Sequence, residues 1–267
     1  MTLMEVAKSA TLAAAASLLV SCAAPPPGPA TIDTSKVVDL TYAYDAGTIY
    51  WPNAEGFRHR KDQWAINESG FWYAAGDFAS AEHGGTHLDS PIHFAEGEQT
   101  VDELALADLI GPVAVIDVTA GAEADRDYRV TAQDIIEWEA ARGPLTPDMI
   151  VVFRTGWGRR WPDRLAYMGT DTPGDTSNLH FPGLSREAAE LLVERNVKGV
   201  GIDTASIDYG PSTDFMAHRI LNGAGIYGLE NVANLESLPA TGATLLALPM
   251  KIAEGTGAPT RIIAILP

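Results

Sequence analysis

The chain is poor in cysteine, in basic residues and in long apolar runs. Cys22 is its single cysteine, so an intrachain disulfide is excluded and no metal site can be built from thiolates. Lysine and arginine number 18 against 35 aspartates and glutamates, a formal charge of -17. A surface that acidic repels the phosphate backbone, which excludes nucleic acid as a partner. The longest largely apolar stretch runs from Ala10 to Val20, 11 residues. A bilayer span needs about 20 residues, so this stretch does not predict a transmembrane helix. What is abundant is apolar content: 46% hydrophobic residues, enough for a substantial core in one large domain.

Lys8 followed by that apolar run reads as an export signal. It ends in Leu19-Val20-Ser21-Cys22, which resembles the lipobox of bacterial lipoproteins. The expected division is a signal peptide at 1–21, a lipidated Cys22 and proline-rich tether at 22–35, and a single folded domain at 36–267. The implied location is outside the cytoplasm, periplasmic or on an outer face, held to a membrane only through the lipid.

Lys36–Leu40, Val113–Val118, Met149–Phe153, Val200–Ile202, Ala243–Leu248 and Arg261–Leu266 read as strands, several of them apolar throughout. Thr131–Ala141 reads as a helix capped by Thr131, with Asp134 three residues on and Gly143 beyond its end. Ser185–Lys198 reads as a second helix, capped by Ser185. The fold class is therefore α/β, strand-rich. Thr155–Gly183 carries Gly, Pro, Trp and Asp without a period and reads as a long lid-like loop near a site. No internal repeat is present.

Chemistry concentrates in Glu82-His83-Gly84-Gly85-Thr86-His87-Leu88-Asp89-Ser90-Pro91-Ile92-His93-Phe94. Three of the six histidines fall within 11 residues, with an aspartate among them. Gly84-Gly85 and Pro91 oppose a helix. On an extended strand, His83, His87, Asp89 and His93 share one face, because all are of odd parity. Two imidazoles and a carboxylate are a facial set for Zn²⁺, Mn²⁺ or Fe²⁺. His93 is then a fourth ligand or a free base. Glu82 either orients a histidine or is solvated surface. Asp203, Asp208 and Asp214 read as mainly structural, and His59 and His180 lack a motif, although His180 sits in the lid-like segment. The aromatics upstream, Trp51, Phe57 and Trp72 foremost, are candidates for a substrate pocket, with Phe71 and Tyr73 beside them.

The segment His83–Phe94 resembles the H-x-G-T-H-x-D-x-P-x-H-F signature of the metal-dependent cyclase hydrolases, a family that includes bacterial kynurenine formamidases and isatin hydrolases. Gly201–Asp208 resembles the family's G-x-D-x-x-S segment. His218, followed by Glu230-Asn231, resembles its second-metal pair. The resemblance implies a swivelling β/β/α single domain that forms homodimers or homotetramers. It also implies His83, His87 and Asp89 as ligands of a first Zn²⁺ or Mn²⁺, and His218 and Glu230 as ligands of a second, with Asp89 bridging. His93 becomes the general acid/base, and its ordinary pKa near 6.5 suits both directions of proton transfer. The implied substrate is a small amide, formamide or lactam on an aromatic ring. Two other uses of the same groups stay open: a metal- or solute-binding lipoprotein, and a metal-assisted lyase or cyclase.

Overall fold

A computed structural model describes residues 31–267, so the export signal, Cys22 and most of the tether lie outside the described residues. Residues 34–267 form one unit. Its strands are β1 (Val37–Asp39), β2 (Arg58–Ile66), β3 (Trp72–Ala79), β4 (His87–Asp89), β5 (Ile110–Asp117), β6 (Arg129–Val130), β7 (Ile150–Arg154), β8 (Gly183–Leu184), β9 (Gly199–Ile202), β10 (Tyr227–Glu230), β11 (Thr244–Pro249) and β12 (Gly257–Ile265). Its helices are α1 (Thr119–Ala124), α2 (Ala132–Arg142), α3 (Arg164–Met168), α4 (Arg186–Glu194) and α5 (Met216–Asn222).

The main sheet runs β1-β12-β11-β5-β7-β9-β10-β4, and β4 returns to pair with β12. Seven of its strands thereby close into a barrel-like ring, with β1 added outside on β12. The strands β5, β7, β9 and β10 are parallel, whereas β4, β11 and β12 pair antiparallel. Parallel neighbours require crossovers, and α2, α4 and α5 lie in those connections.

Period-two alternation divides the core. On β5, Val113 and Val115 face the ring interior with Leu88, Ile150, Val152, Leu229 and Leu245. Ala114 and Ile116 face the opposite way, with Val151, Phe153, Ile135 and Leu192 beneath the helices. Both faces being covered explains why these strands are apolar throughout rather than alternating. The α2 start carries the full reciprocal cap expected of it: the Thr131 side chain accepts from Asp134 N, and Asp134 returns the bond to the Thr131 backbone.

Two segments depart from the sequence reading. Thr155–Gly183 contains a 3-10 turn at Trp157–Arg160 and the helix α3, and its Trp157, Tyr167, Met168, Leu179 and Phe181 are buried with Ile49 and Ala205. Part of it is therefore packed, with Phe181 against Trp51, whereas residues 171–178 are irregular and largely exposed. Its irregular sequence hid a small core of its own, one in which Trp157 and Tyr167 each find a hydrogen-bond acceptor. The aromatic stretch 57–78 forms the β2–β3 hairpin, with Trp64, Ile66, Phe71, Trp72, Tyr73 and Phe78 exposed.

Candidate metal centre

The site begins with a register. In the antiparallel pair β4–β10, His87 stands opposite Glu230 and Asp89 opposite Gly228; on the other side of β4, Asp89 stands opposite Gly257. His87 and Asp89, two residues apart on one short strand, share a face as parity predicts. The extended segment stops there. Gly85 at φ 60° turns the chain, so His83 reaches the cluster from a bend rather than along the strand. Pro91 opens a 3-10 turn, Pro91–His93, that folds His93 back until its ring stacks on His83, with centroids 3.8 Å apart. Room for the His83 ring comes from Gly257, where a Cβ would stand 2.5 Å from His83 Cε1.

Five side chains converge. His83 Nδ1 lies 2.6 Å and His87 Nε2 3.1 Å from Asp89 Oδ1. His87 Nε2 is 3.5 Å from Glu230 Oε2. His218, delivered by α5, places Nε2 3.3 Å from Asp89 Oδ2 and 3.2 Å from Glu230 Oε1. The donor atoms fall into two overlapping sets, His83/His87/Asp89 and Asp89/His218/Glu230, each with its atoms within 4.8 Å of one another.

Outer partners fix which ring nitrogen faces inward. His87 Nδ1–H donates to Gly85 O at 3.0 Å. The Thr256 hydroxyl donates to Glu82 Oε2 at 2.6 Å, so its oxygen accepts from His83 Nε2–H at 2.8 Å. Glu82 therefore orients His83 through Thr256. His218 Nδ1–H donates to Asp208 Oδ2 at 2.6 Å, and Asp208 also accepts from the Ala217 and His218 amides. Neutral His83, His87 and His218 would then aim three lone pairs at two carboxylates. That donor set repels itself unless a cation lies among its members. It fits a divalent metal, because the nitrogens and oxygens already point at common positions.

Without metal, protons take that place. Burial opposes a charge on His87, but the Asp89 carboxylate, aided by Glu230 and the bond to Gly85, carries its pKa up to about 9. For His218, too, burial opposes the charge, and the bonds to Asp208, Asp89 and Glu230 outweigh it and raise the pKa. Burial raises Asp89 as well, yet the His87 charge and the His218 and His83 bonds hold it well below the carboxylate range. A pKa raised on folding adds stability below the unfolded value of about 6.5, and that stability disappears as pH rises through the folded value. The metal-free protein is therefore expected to lose melting temperature from pH 6.5 to about 9. Metal must displace these protons, so its apparent affinity should rise over the same interval. Melting curves and metal titrations at pH 6, 7.5 and 9 check both; a flat melting profile would show that His87 carries no proton there.

His93 differs. Burial, with the neighbouring histidines, pushes its pKa down to about 3 against the pull of Asp89. It is neutral at pH 7, a weaker base than the ordinary histidine expected from the sequence and one that gives up an acquired proton readily. Among the described residues neither ring nitrogen of His93 has a protein hydrogen-bond partner.

These groups sit at the base of a cleft of about 270 Å³ walled by Ile49, Tyr50, Trp51, Phe94, Ala205 and Phe215. Of the expected pocket aromatics only Trp51 is there. Phe57 packs against Tyr44 and Phe78, and Trp72 is 58% exposed on the hairpin. A two-stranded ribbon with no sheet or helix across it turns both faces outward, which removes Phe57 and Trp72 from the cleft. His180 is outside it as well, paired with Asp127 at 2.8 Å. Asp203 is buried and accepts from Thr155 and Trp157, a structural role. Phe94 and Ala205 lie within the two segments singled out in the sequence but were not assigned to the pocket there; Ile49 and Phe215 had no sequence signal.

The Cyclase family profile matches residues 38–209. An isatin hydrolase of Roseibium aggregatum is 38% identical over 194 residues, 70% of this chain and 72% of that protein. A kynurenine formamidase of Salinibacter ruber is 29% identical over 237 residues, 85% of this chain and 96% of that one. The crystal structure of an isatin hydrolase bound to the product analogue thioisatinate superposes with a TM-score of 0.80 at 34% identity, covering 87% of this chain and 92% of that one.

Proposed function

The chain belongs to the Cyclase family, and from that premise we propose that it is a metal-dependent amidohydrolase cleaving a non-peptide C–N bond, in an amide, formamide or lactam attached to an aromatic ring. The observation that carries this reading is the neutral, unbonded His93 beside a self-repelling His/Asp/Glu cluster at the base of an aromatic cleft.

In this reading His83, His87 and Asp89 would hold one divalent cation, and Asp89, His218 and Glu230 a second. Imidazole and carboxylate donors suit Zn²⁺ or Mn²⁺. A cation held there supplies a Lewis acid and brings the pKa of water from 15.7 toward about 7. His93 takes a proton from the attacking water and returns it to the leaving nitrogen. Glu82, through Thr256, and Asp208 keep His83 and His218 in the tautomers that present a lone pair. Trp51, Phe94 and Phe215 receive the ring and exclude bulk water.

The purified chain is expected to hydrolyse formanilide or isatin, to lose that activity on chelation and to regain it with Zn²⁺ or Mn²⁺. A metal-replete chain inert toward aryl formamides and lactams alike would sink the reading. Self-association belongs to the same proposal, through the β2–β3 hairpin. Its six bare apolar side chains present on the order of 600–800 Å², near the ~800 Å² per partner of a stable interface. The hairpin's Arg58, Arg60 and Lys61 offset its Asp62, Glu68 and Asp77, so two acidic copies repel least there. Light scattering should give the mass of two chains, and Trp72→Glu the mass of one; a monomeric parent would refute it.

A further inference from the structure

Phe215 stands at φ 48°, ψ 48°, immediately before α5. Five non-glycine residues have positive φ among the described residues: Asn196, Phe215, Asn231, Asn234 and Glu254. Asparagine tolerates the left-handed region because its short polar side chain bonds locally. A bulky aromatic there is an outlier. Such conformations persist only where the surroundings impose them, and they gather at ligand clamps.

The surroundings here are explicit. Phe215 N donates to Ser212 Oγ at 3.2 Å, and Phe215 O accepts from Arg219 N at 3.0 Å. The amides two and three residues on, of Ala217 and His218, are held by Asp208, the carboxylate that also fixes the His218 ring. One clamp therefore sets both the inward nitrogen of His218 and the backbone that aims Phe215. The ring it aims lines the cleft, 5.5 Å from Phe94 and 6.2 Å from Trp51. Phe94 in turn lies 4.6 Å from both the His93 and the His218 rings. A negative φ at position 215 would redirect the Cα–Cβ bond and open this wall.

We propose that Phe215 is a specificity-determining residue, its strained backbone holding the ring as one wall of an aromatic slot that selects flat aryl amides over alkyl amides. The proposal rests on the hydrolase reading and adds to it a residue and a selection rule. Stacked and edge-on aromatic pairs contribute beyond their buried area, and an alkyl chain forgoes that contribution.

The test uses the full-length, metal-loaded chain with Phe215→Ala and Phe215→Gly, which both delete the ring. Steady-state kinetics on formanilide and N-butylformamide should show the aryl-to-alkyl ratio of kcat/KM falling about tenfold or more in both variants, mainly through the aryl KM. The two variants separate ring from backbone. At an ordinary position glycine is the less stable of the pair; at positive φ the order inverts, so Phe215→Gly should melt about 2–4 °C above Phe215→Ala. An active parent whose variants keep the aryl preference overturns this proposal alone. Alanine melting at or above glycine removes the strain from it. A parent inactive on both amides overturns the hydrolase reading, and this proposal with it.

Discussion

Replacing His87 with alanine is expected to empty the metal centre and end turnover. His87 is 2% exposed and lies opposite Glu230 in the β4–β10 register. Its Nε2 faces both Asp89 and Glu230, so it touches both donor sets. Removing an outer partner of a metal ligand already costs about 10–100-fold in affinity or activity; loss of a member of the first donor set that also faces Glu230 of the second should cost more. Elemental analysis of the dialysed variant should find less than about a tenth of the parent's metal, with kcat reduced by at least about 10³-fold. The metal-free variant should also be less stable than the metal-free parent at pH 7. There His87 carries a proton, and deleting a buried positive partner leaves carboxylates uncompensated, about 3–5 kcal/mol in comparable cases. Circular dichroism separates this weakening from misfolding. A folded variant with the parent's metal content would move the metal centre away from His87.

The candidate ligands nearest in sequence could be grouped from the sequence because the chain delivers them within one strand and its two flanking turns. Parity placed His87 and Asp89 correctly, since both lie on β4. It placed His83 and His93 on the right face for the wrong reason: Gly85 and Pro91 break the strand on either side, and the histidines return by turning. His218 and Glu230 came only from the family resemblance. They lie 124 or more residues from the motif and meet it through α5 for His218 and the pairing of β10 with β4 for Glu230, a placement that no local pattern encodes. The core strands were readable because the ring and the helices cover both their faces. The aromatic stretch 51–73 misled because composition does not say which aromatics find a partner. Trp51 enters the cleft, whereas Trp64 and Trp72 lie on a hairpin bare on both faces. Nothing in the sequence around Phe215 signals a left-handed backbone, which is imposed from Asp208 and Ser212.

His93→Ala should separate chemistry from metal binding. His93 stacks on His83 but belongs to neither converging donor set. Its low pKa follows first from burial, which leaves a neutral imidazole facing the cleft. Metal content in the variant is expected to match the parent, with KM for an aryl formamide changed little. Turnover should fall by roughly 10²–10⁴-fold, the range for loss of a positioned acid–base group. The pH profile adds an independent check. Because the His93 pKa is lowered by burial, groups other than His93 are expected to set the acid limb of kcat/KM in the parent, and the limb should persist in His93→Ala at reduced height. If the variant loses its metal, His93 is a ligand and the proton must be carried by another group. If it keeps both metal and full turnover, the water is deprotonated without it, and the stacked ring of His93 serves only to hold His83 in place.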